Sequence, residues 1–449
     1  MDLRLFAFGL VIAGSACSVI NSYDDVVEAS GGSGQGGASA GAGGKGGSSS
    51  GGTSTGSGGA NGGEGGEGTT PMLPTTGLVV LGGTTLTPTE GLISVLDPVT
   101  GVELDREELP SGAQVAGIAY DGALGRDVWF VFQSTEFPAE PDTPVDMQVR
   151  RFDDESGSWT VLDTTTALPA PKPHTFAVLN DRLAYISAEV QSGNVVPTLT
   201  ILDTADLENV VAVDFEQPPL SGEMIGLLGV RGTPANPNGL GGTLDLAVKQ
   251  NCNPGGGPDC ELFVQPLAVG SGVSPTVGQP LGSFIGTPAF ATARGAGLVY
   301  FALPPPTGSV AVYRSEPRAP ENAMSFTAPP AVSDLGGLTI AECQNVGVLT
   351  SSSEQALYGV TLSVAAGRTL DLGRPGQLVE WEPFTRDVIA TFNPTMAGED
   401  PEIAAITVTS NQTGTSLNLE RRAAATWDPP TDVRVNAMAV RFPFPFACE

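Results

Sequence analysis

The chain has 449 residues and a formal net charge of −29, from 49 acidic and 20 basic residues, with 60 glycines, 37 prolines, five cysteines and one histidine. A field of that sign repels phosphate backbones and excludes nucleic acid as a partner. A single histidine excludes metal sites built on two or more, and the prolines exclude long helices.

The N-terminus reads as an export segment. Asp2 and Arg4 precede an apolar run from Leu5 to Gly14. That run is about half of the roughly 20 residues that a spanning helix needs, and it suits the apolar region of a signal peptide. Gly14, Ser15 and Ala16 then lead into Cys17. This resembles the lipobox of bacterial lipoproteins, with Gly14 where that family usually has Leu, Val or Ile. The resemblance implies removal of residues 1–16 and a diacylglycerol on Cys17. It also implies an exported protein held by lipid at the outer membrane or cell surface of a bacterium, or facing the periplasm. Ordinary signal-peptide cleavage after Ala16 is the alternative.

Residues 17–70 are the expected anchor and tether. Between Gly31 and Gly68, 20 of 38 residues are Gly and most others are Ser, Ala or Thr. Such a tract buries too little surface to offset its ordering entropy and is expected to be disordered. As a Gly-rich coil it spans roughly 35 Å, and about 130 Å at full extension. The six acids and two bases before Thr69 leave 43 acids and 18 bases in the remainder. The acidity therefore belongs to the folded part, residues 71–449.

From Pro71 onward the pattern is all-β. Short runs such as Gly77–Gly83, Asp127–Gln133 and Gly297–Leu303 are rich in Val, Leu, Phe and Tyr and are cut by Gly, Pro, Asp and Asn. Two marks alternate along the chain. One is a strand ending in a polar turn, anchored at Asp97, Asp153, Asp203, Gln265, Arg314 and Glu382. The other mixes small and apolar residues, as in Val115–Gly122, His174–Asp181, Ile225–Val230, Pro288–Ala293, Ile403–Val408 and Val435–Val440. The period of roughly 50–60 residues, with about four short strands each, is that of a β-propeller blade. The small residues suit an innermost strand, where blades crowd the axis. Seven blades fit the length, with six as the alternative count. The short last interval suggests that C-terminal strands share a blade with Gly77–Gly83. A pair of β-sandwiches is the competing architecture.

Ser94–Gly101, followed by Gly112–Ala119, is similar to one unit of the YVTN-type propellers, with Val115 where that family prefers Pro. The resemblance implies the fold and no activity.

With Cys17 lipidated, four cysteines remain, an even number in an exported chain. Cys252 and Cys260 flank a Pro/Gly loop and are expected to pair. Cys343 and Cys448 would then pin the C-terminus, where a ring must be fastened.

His174, after Pro171-Lys172-Pro173, is expected to be a strand-edge histidine rather than part of a Ser-His-Asp triad. There is no Gly-x-Ser-x-Gly elbow and no phosphate-binding loop. Asp24-Asp25, Asp153-Asp154-Glu155 and Glu399-Asp400 lack the alternating spacing of a calcium loop and read as solvated turns. Trp129 is expected to pack between blades. Trp159, Trp381 and Trp427 fit packing better than a sugar-binding rim.

No catalytic, cofactor-binding or metal-binding residue is assigned. The expected function is a lipid-anchored, extracytoplasmic propeller that binds, scaffolds or presents at a surface. Its partner would be a protein or carbohydrate, and the chain would be a monomer. The alternative is a lactonase-like or other hydrolase propeller with channel carboxylates around calcium.

Overall fold

In the computed structural model, backbone is described for residues 76–442, apart from 87–88, 111, 123–125, 136–142, 179–180, 192–193, 214–222, 231–242, 251–258, 270–272, 276–278, 286–288, 294–297, 304–309, 317–318, 329–336, 351–354, 362–366, 394–398, 412–415 and 423–432. Within the strands, side chains are described outside 86–89, 173–174, 188–197, 213–245 and 247–336.

The described residues form seven antiparallel sheets arranged as the blades of a β-propeller. The first three strands, β1 (Val79–Leu86), β2 (Thr89–Leu96) and β3 (Glu103–Glu108), belong to blade 1. Blade 2 is β4 (Gln114–Asp121), β5 (Val128–Ser134), β6 (Val145–Asp153) and β7 (Ser158–Leu168). Blade 3 is β8 (Pro171–Val178), β9 (Arg182–Gln191), β10 (Asn194–Asp203) and β11 (Val211–Val213). Blade 4 has β12 (Glu223–Val230), β13 (Thr243–Gln250) and β14 (Asp259–Val269), with β15 (Val273–Pro275) and β16 (Gln279–Ile285) both pairing β14. Blade 5 is β17 (Ala289–Ala293), β18 (Leu298–Leu303), β19 (Val310–Glu316) and β20 (Ala319–Ala328). Blade 6 is β21 (Gly337–Ala341), β22 (Val346–Thr350), β23 (Ala356–Thr361) and β24 (Gly367–Asp371). Blade 7 is β25 (Val379–Glu382), β26 (Asp387–Phe392), β27 (Glu402–Ser410) and β28 (Leu417–Arg421).

The last strand, β29 (Val433–Val440), pairs β1 and completes blade 1 as its innermost strand. The C-terminal strand therefore does share a blade with Gly77–Gly83. The innermost strands β29, β4, β8, β12, β17, β21 and β25 neighbour one another in that order, and β25 meets β29 again. Each blade is an antiparallel meander, so all seven innermost strands run the same way. They begin on one face, called upper here, and end on the lower face.

Six of the seven innermost strands are at or beside segments singled out in the sequence, but blade 7 exchanges the two marks. Leu378–Thr385 holds the innermost strand β25, and Ile403–Val408 lies in the third strand, β27. The physical reason is burial. β27 is buried at Ile403, Ala404, Ala405, Ile406 and Val408. A third strand packed on both faces reads like an innermost one. The short interval before Val435–Val440 has the same origin. Neither mark found β21, whose five residues are all buried.

Blades meet through interleaved apolar faces, and glycine permits the closest approaches. A Cβ on Gly82 of blade 1 would fall 2.4 Å from Val115 Cγ1 of blade 2. A Cβ on Gly117 of blade 2 would fall 2.5 Å from Phe176 Cζ of blade 3. Phe176 stacks on Phe132, with ring centroids 5.1 Å apart, and both rings lean on Tyr185.

Candidate functional site

The two faces of the ring have different chemistry. On the lower face, arginines held by an acid of their own blade donate hydrogen bonds to the next blade. Arg422 of blade 7 pairs with Asp387 at 2.9 Å and also donates to the Pro98 carbonyl of blade 1. Arg126 of blade 2 donates to the Thr204 carbonyl and hydroxyl of blade 3, each at 3.0 Å, and pairs with Asp121 at 3.4 Å. In each case the turn after an innermost strand, or a side chain held by it, meets the turn after the third strand of the next blade.

Blade 1 has no such turn, because its innermost and second strands lie at opposite ends of the chain. Arg441 occupies that gap. Its N–H donates to the Leu78 carbonyl at 2.8 Å. Its guanidinium holds both oxygens of Asp127 at 3.0 and 2.9 Å and both oxygens of Asp154 at 2.9 and 2.8 Å. It also lies over the Trp129 ring, 5.3 Å from the centroid. The Asp153-Asp154-Glu155 turn is thus more than a solvated turn, since Asp154 is one jaw of a closure clamp. Asp127 has φ 46°, a conformation Asp tolerates better than most residues. Tyr120 donates to Asp127 at 2.9 Å. Burial pushes the Asp127 carboxyl above its ordinary value and outweighs the Arg441 and Tyr120 donors.

Glu382 closes β25 on the same face and is buried. It accepts the Phe384 N–H at 3.1 Å and the Thr385 N–H and hydroxyl at 2.7 Å each. Burial still pushes its carboxyl above the ordinary 4.5. A raised folded value means that this carboxyl stabilises the fold most below about 4.5 and loses that contribution as pH rises through the folded value. Glu382→Gln does not titrate. Wild type should therefore compare best with the variant in acid, and urea midpoints at about pH 4 and about pH 8 check the sign. A pH-independent difference between the two would contradict it.

The upper face is built differently. Innermost strands of four consecutive blades carry register breaks near their upper ends. Asn436 is an extra residue opposite Gly82/Gly83, Ala116 opposite Gln133/Phe132, and Ile225 between the partners of Met224 and Gly226. In blade 3 the break spans Pro171 to Phe176. The innermost strands of blades 5, 6 and 7 pair without a break. Bulges re-aim side chains and gather beside binding sites. The broken half of the ring is therefore the candidate site.

Its geometry is fixed at the seam between blades 1 and 2. Arg434 pairs with Thr84, and Thr84 with Gly91. The Gly91 N–H then donates across the seam to the Ala113 carbonyl at 2.8 Å. A Cβ at 91 would fall 2.5 Å from that oxygen and 2.8 Å from Gln114 Cα, so only glycine allows the approach. This row places Gln114 against the third strand of blade 1, two strands out from Arg434 of β29. Asn436 donates to the Thr84 hydroxyl at 2.5 Å. Gln114 is only 6% exposed, and its Oε1 has no partner among the described residues. Arg434 is exposed, and Lys172 at the upper end of β8 is half-buried.

Other residues expected to matter lie as follows. His174 is in β8, within the broken stretch, and its side chain is outside the described residues. Cys343 is disulfide-bonded. Cys17, Cys252 and Cys448 are outside the described residues, and Cys260 contributes only its backbone, in β14. Trp129 and Trp381 are buried and Trp159 packs against the core, while Trp427 is outside the described residues. Among the described residues, no group of three or more His, Cys, Asp or Glu is placed to hold a metal.

No family model and no curated protein matches the chain. Solved structures do. One is described as a 6-phosphogluconolactonase from Bacteroides uniformis, at 10% identity over 82% of this chain and 99% of that one, with a TM-score of 0.49. Another is a periplasmic gluconolactonase from Pseudomonas aeruginosa, at 13% identity over 80% and 99%, TM-score 0.49. A third is the Cps50 β-propeller domain of Myceliophteria thermophila, at 8% identity over 75% and 93%, TM-score 0.42. At such identities the likeness is one of fold, and no activity carries over.

Proposed function

We propose that this chain is an exported, lipid-anchored propeller that binds a polar ligand at the upper mouth of its ring. The observation that carries the reading is that, among the innermost strands, those of blades 1 to 4 carry register breaks and those of blades 5 to 7 do not. In this reading Cys17 carries the lipid, residues 18–70 are the tether, and Cys343 pairs with Cys448 while Cys252 pairs with Cys260. The pairing of β29 with β1 and the disulfide then both fasten the ring.

Thermal-shift measurements on the full chain in detergent, against neutral sugars, acidic sugars and short peptides, test the mouth. A ligand-induced shift should vanish in Asn436→Ala. A shift that survives that change in full places binding elsewhere and sinks the reading. Ring opening of a gluconolactone by the same preparation, read as acid release, would replace it with the hydrolase alternative.

The anchor has its own test. Cys17→Ala should move the exported protein from the detergent phase to the aqueous phase. Unchanged partitioning would rule the lipid out.

A further inference from the structure

We infer that the lower rim of blades 1 to 3 is a membrane-contact surface, resting on a zwitterionic phospholipid bilayer while the bulged upper mouth faces away. This inference rests on the lipid-anchor reading above and gives the anchored ring an orientation.

Position is the first ground. Five large apolar side chains stand exposed among the described residues: Val99 at 61%, Val102 at 49%, Leu104 at 44%, Val161 at 48% and Val211 at 47%. All five fall on one arc. In each of these blades the outermost strand begins on the lower face, after the turn that follows the third strand. Val99 lies in that turn of blade 1, and Val102 and Leu104 follow it into β3. Exposure alternates from Val102 onward, so Val102 and Leu104 share the outward side of the chain. Val161 is in the first half of β7, and Val211 opens β11. The upper ends of these outermost strands carry none of the five.

The path of the chain is the second ground. The described backbone begins at Thr76, on the lower face. There the Thr76 carbonyl accepts from Arg441 at 3.4 Å, and its hydroxyl donates to Asp154 of blade 2 at 3.4 Å. A Cβ on Gly77 would fall 2.8 Å from Pro98 Cγ, so the chain enters the ring against the turn that carries Val99. Residues 1–75 therefore join the ring at this arc, and a lipid on Cys17 would draw this side toward the bilayer.

Charge selects the kind of bilayer. Carboxylates in the turns of the arc are largely engaged. Asp97 accepts the Val99 N–H at 2.7 Å, Asp153 accepts the Glu155 N–H and the Ser156 hydroxyl at 2.9 Å each, and Asp203 pairs with Arg182 at 2.7 Å. Glu155 and Glu208 are exposed on the same side. An anionic surface repels them, whereas a zwitterionic one can take up the apolar side chains without that repulsion.

The test is contact quenching in vesicles of phosphatidylcholine brominated on its acyl chains. The full chain carries a fluorophore on Thr100→Cys, in the lower turn, or on Glu108→Cys, at the upper end of β3. The two positions are about 25 Å apart along an extended chain, while apolar side chains at a bilayer surface sink about 5–10 Å. The dye at 100 should therefore be quenched and the dye at 108 should not. Val99→Asp combined with Leu104→Asp should abolish the quenching at 100. Both side chains are exposed, and an unchanged urea midpoint shows that the ring still folds. Equal quenching at the two positions, or quenching at 100 that survives the double change, overturns the inference while the anchor stands. A protein that does not float with the vesicles at all sinks the anchor reading and this inference with it. A concentration-dependent dimer in detergent that the double change abolishes would assign the arc to a second copy and overturn the inference too.

Discussion

Arg441→Ala is expected to lower the unfolding free energy by about 3 kcal/mol, the low end of the range for breaking a buried ion pair. The side chain of Arg441 is fully buried, whereas Asp127 is 22% and Asp154 44% exposed. Solvent at the two carboxylates screens part of the interaction, which is why the low end applies. The loss has two parts. The Asp127 carboxyl, already pushed up by burial, loses its cation. The Thr76 carbonyl loses a donor and the face of the Trp129 ring loses the cation lying over it. Because the clamp ties the last strand of the chain to blade 2, the variant should also lose cooperativity at that seam. Urea titration of wild type and variant measures the loss, with Arg106→Ala as control. Arg106 pairs with Glu103 within one strand and at the surface, where such pairs contribute about 0–1 kcal/mol. An Arg441→Ala loss no larger than the control would show that closure does not depend on the clamp.

The second large effect is expected at the seam between blades 2 and 3. Phe176→Ala removes a buried ring that stacks on Phe132 and leans on Tyr185, at a cost of about 3–5 kcal/mol. Gly117→Ala is destabilising for the opposite reason. Its new methyl would meet Phe176 Cζ at 2.5 Å and Cε2 at 2.7 Å, and overpacking of this kind costs about 1–3 kcal/mol. The backbone at 117 is not in the left-handed region, so alanine suffers no strain of its own. The double variant should therefore be more stable than the sum of the two losses implies. The methyl then enters space that the ring vacated, and the coupling is read from a double-mutant cycle. Strict additivity would mean that Gly117 and Phe176 do not share that volume in solution.

The class of fold was open to reading because it rests on local patterns. Runs such as Val128-Trp129-Phe130-Val131-Phe132 can only be buried strands, and the spacing of polar turns at Asp97, Asp153 and Asp203 repeats with the blades. The Asp97 turn shows why the letters recur. Its carboxylate accepts the Val99 N–H at 2.7 Å, and Gly101 takes φ 72°, so the turn chemistry is fixed within five residues. Blade 7 misled for a related reason. Alternation reports burial, and a third strand buried on both faces carries the same pattern as an innermost one.

The candidate site was not open to reading in that way. A bulge at Asn436 or Ala116 depends on the register of a partner strand far away in the chain, and register is not local. The bond from Gly91 to Ala113 that sets the seam joins blades 1 and 2, and no local pattern announces it. Arg441 looks like any arginine after a strand. Its role comes from standing where blade 1 lacks a covalent turn.

By itself, then, the sequence determined an acidic, all-β repeat protein behind an export-like segment and a Gly-rich tract, because composition, turn chemistry and burial patterns act over a few residues. Only the tertiary structure decided how the ring closes and which half of its mouth is bulged. Those depend on strand register and blade contact, which bring together residues hundreds of positions apart.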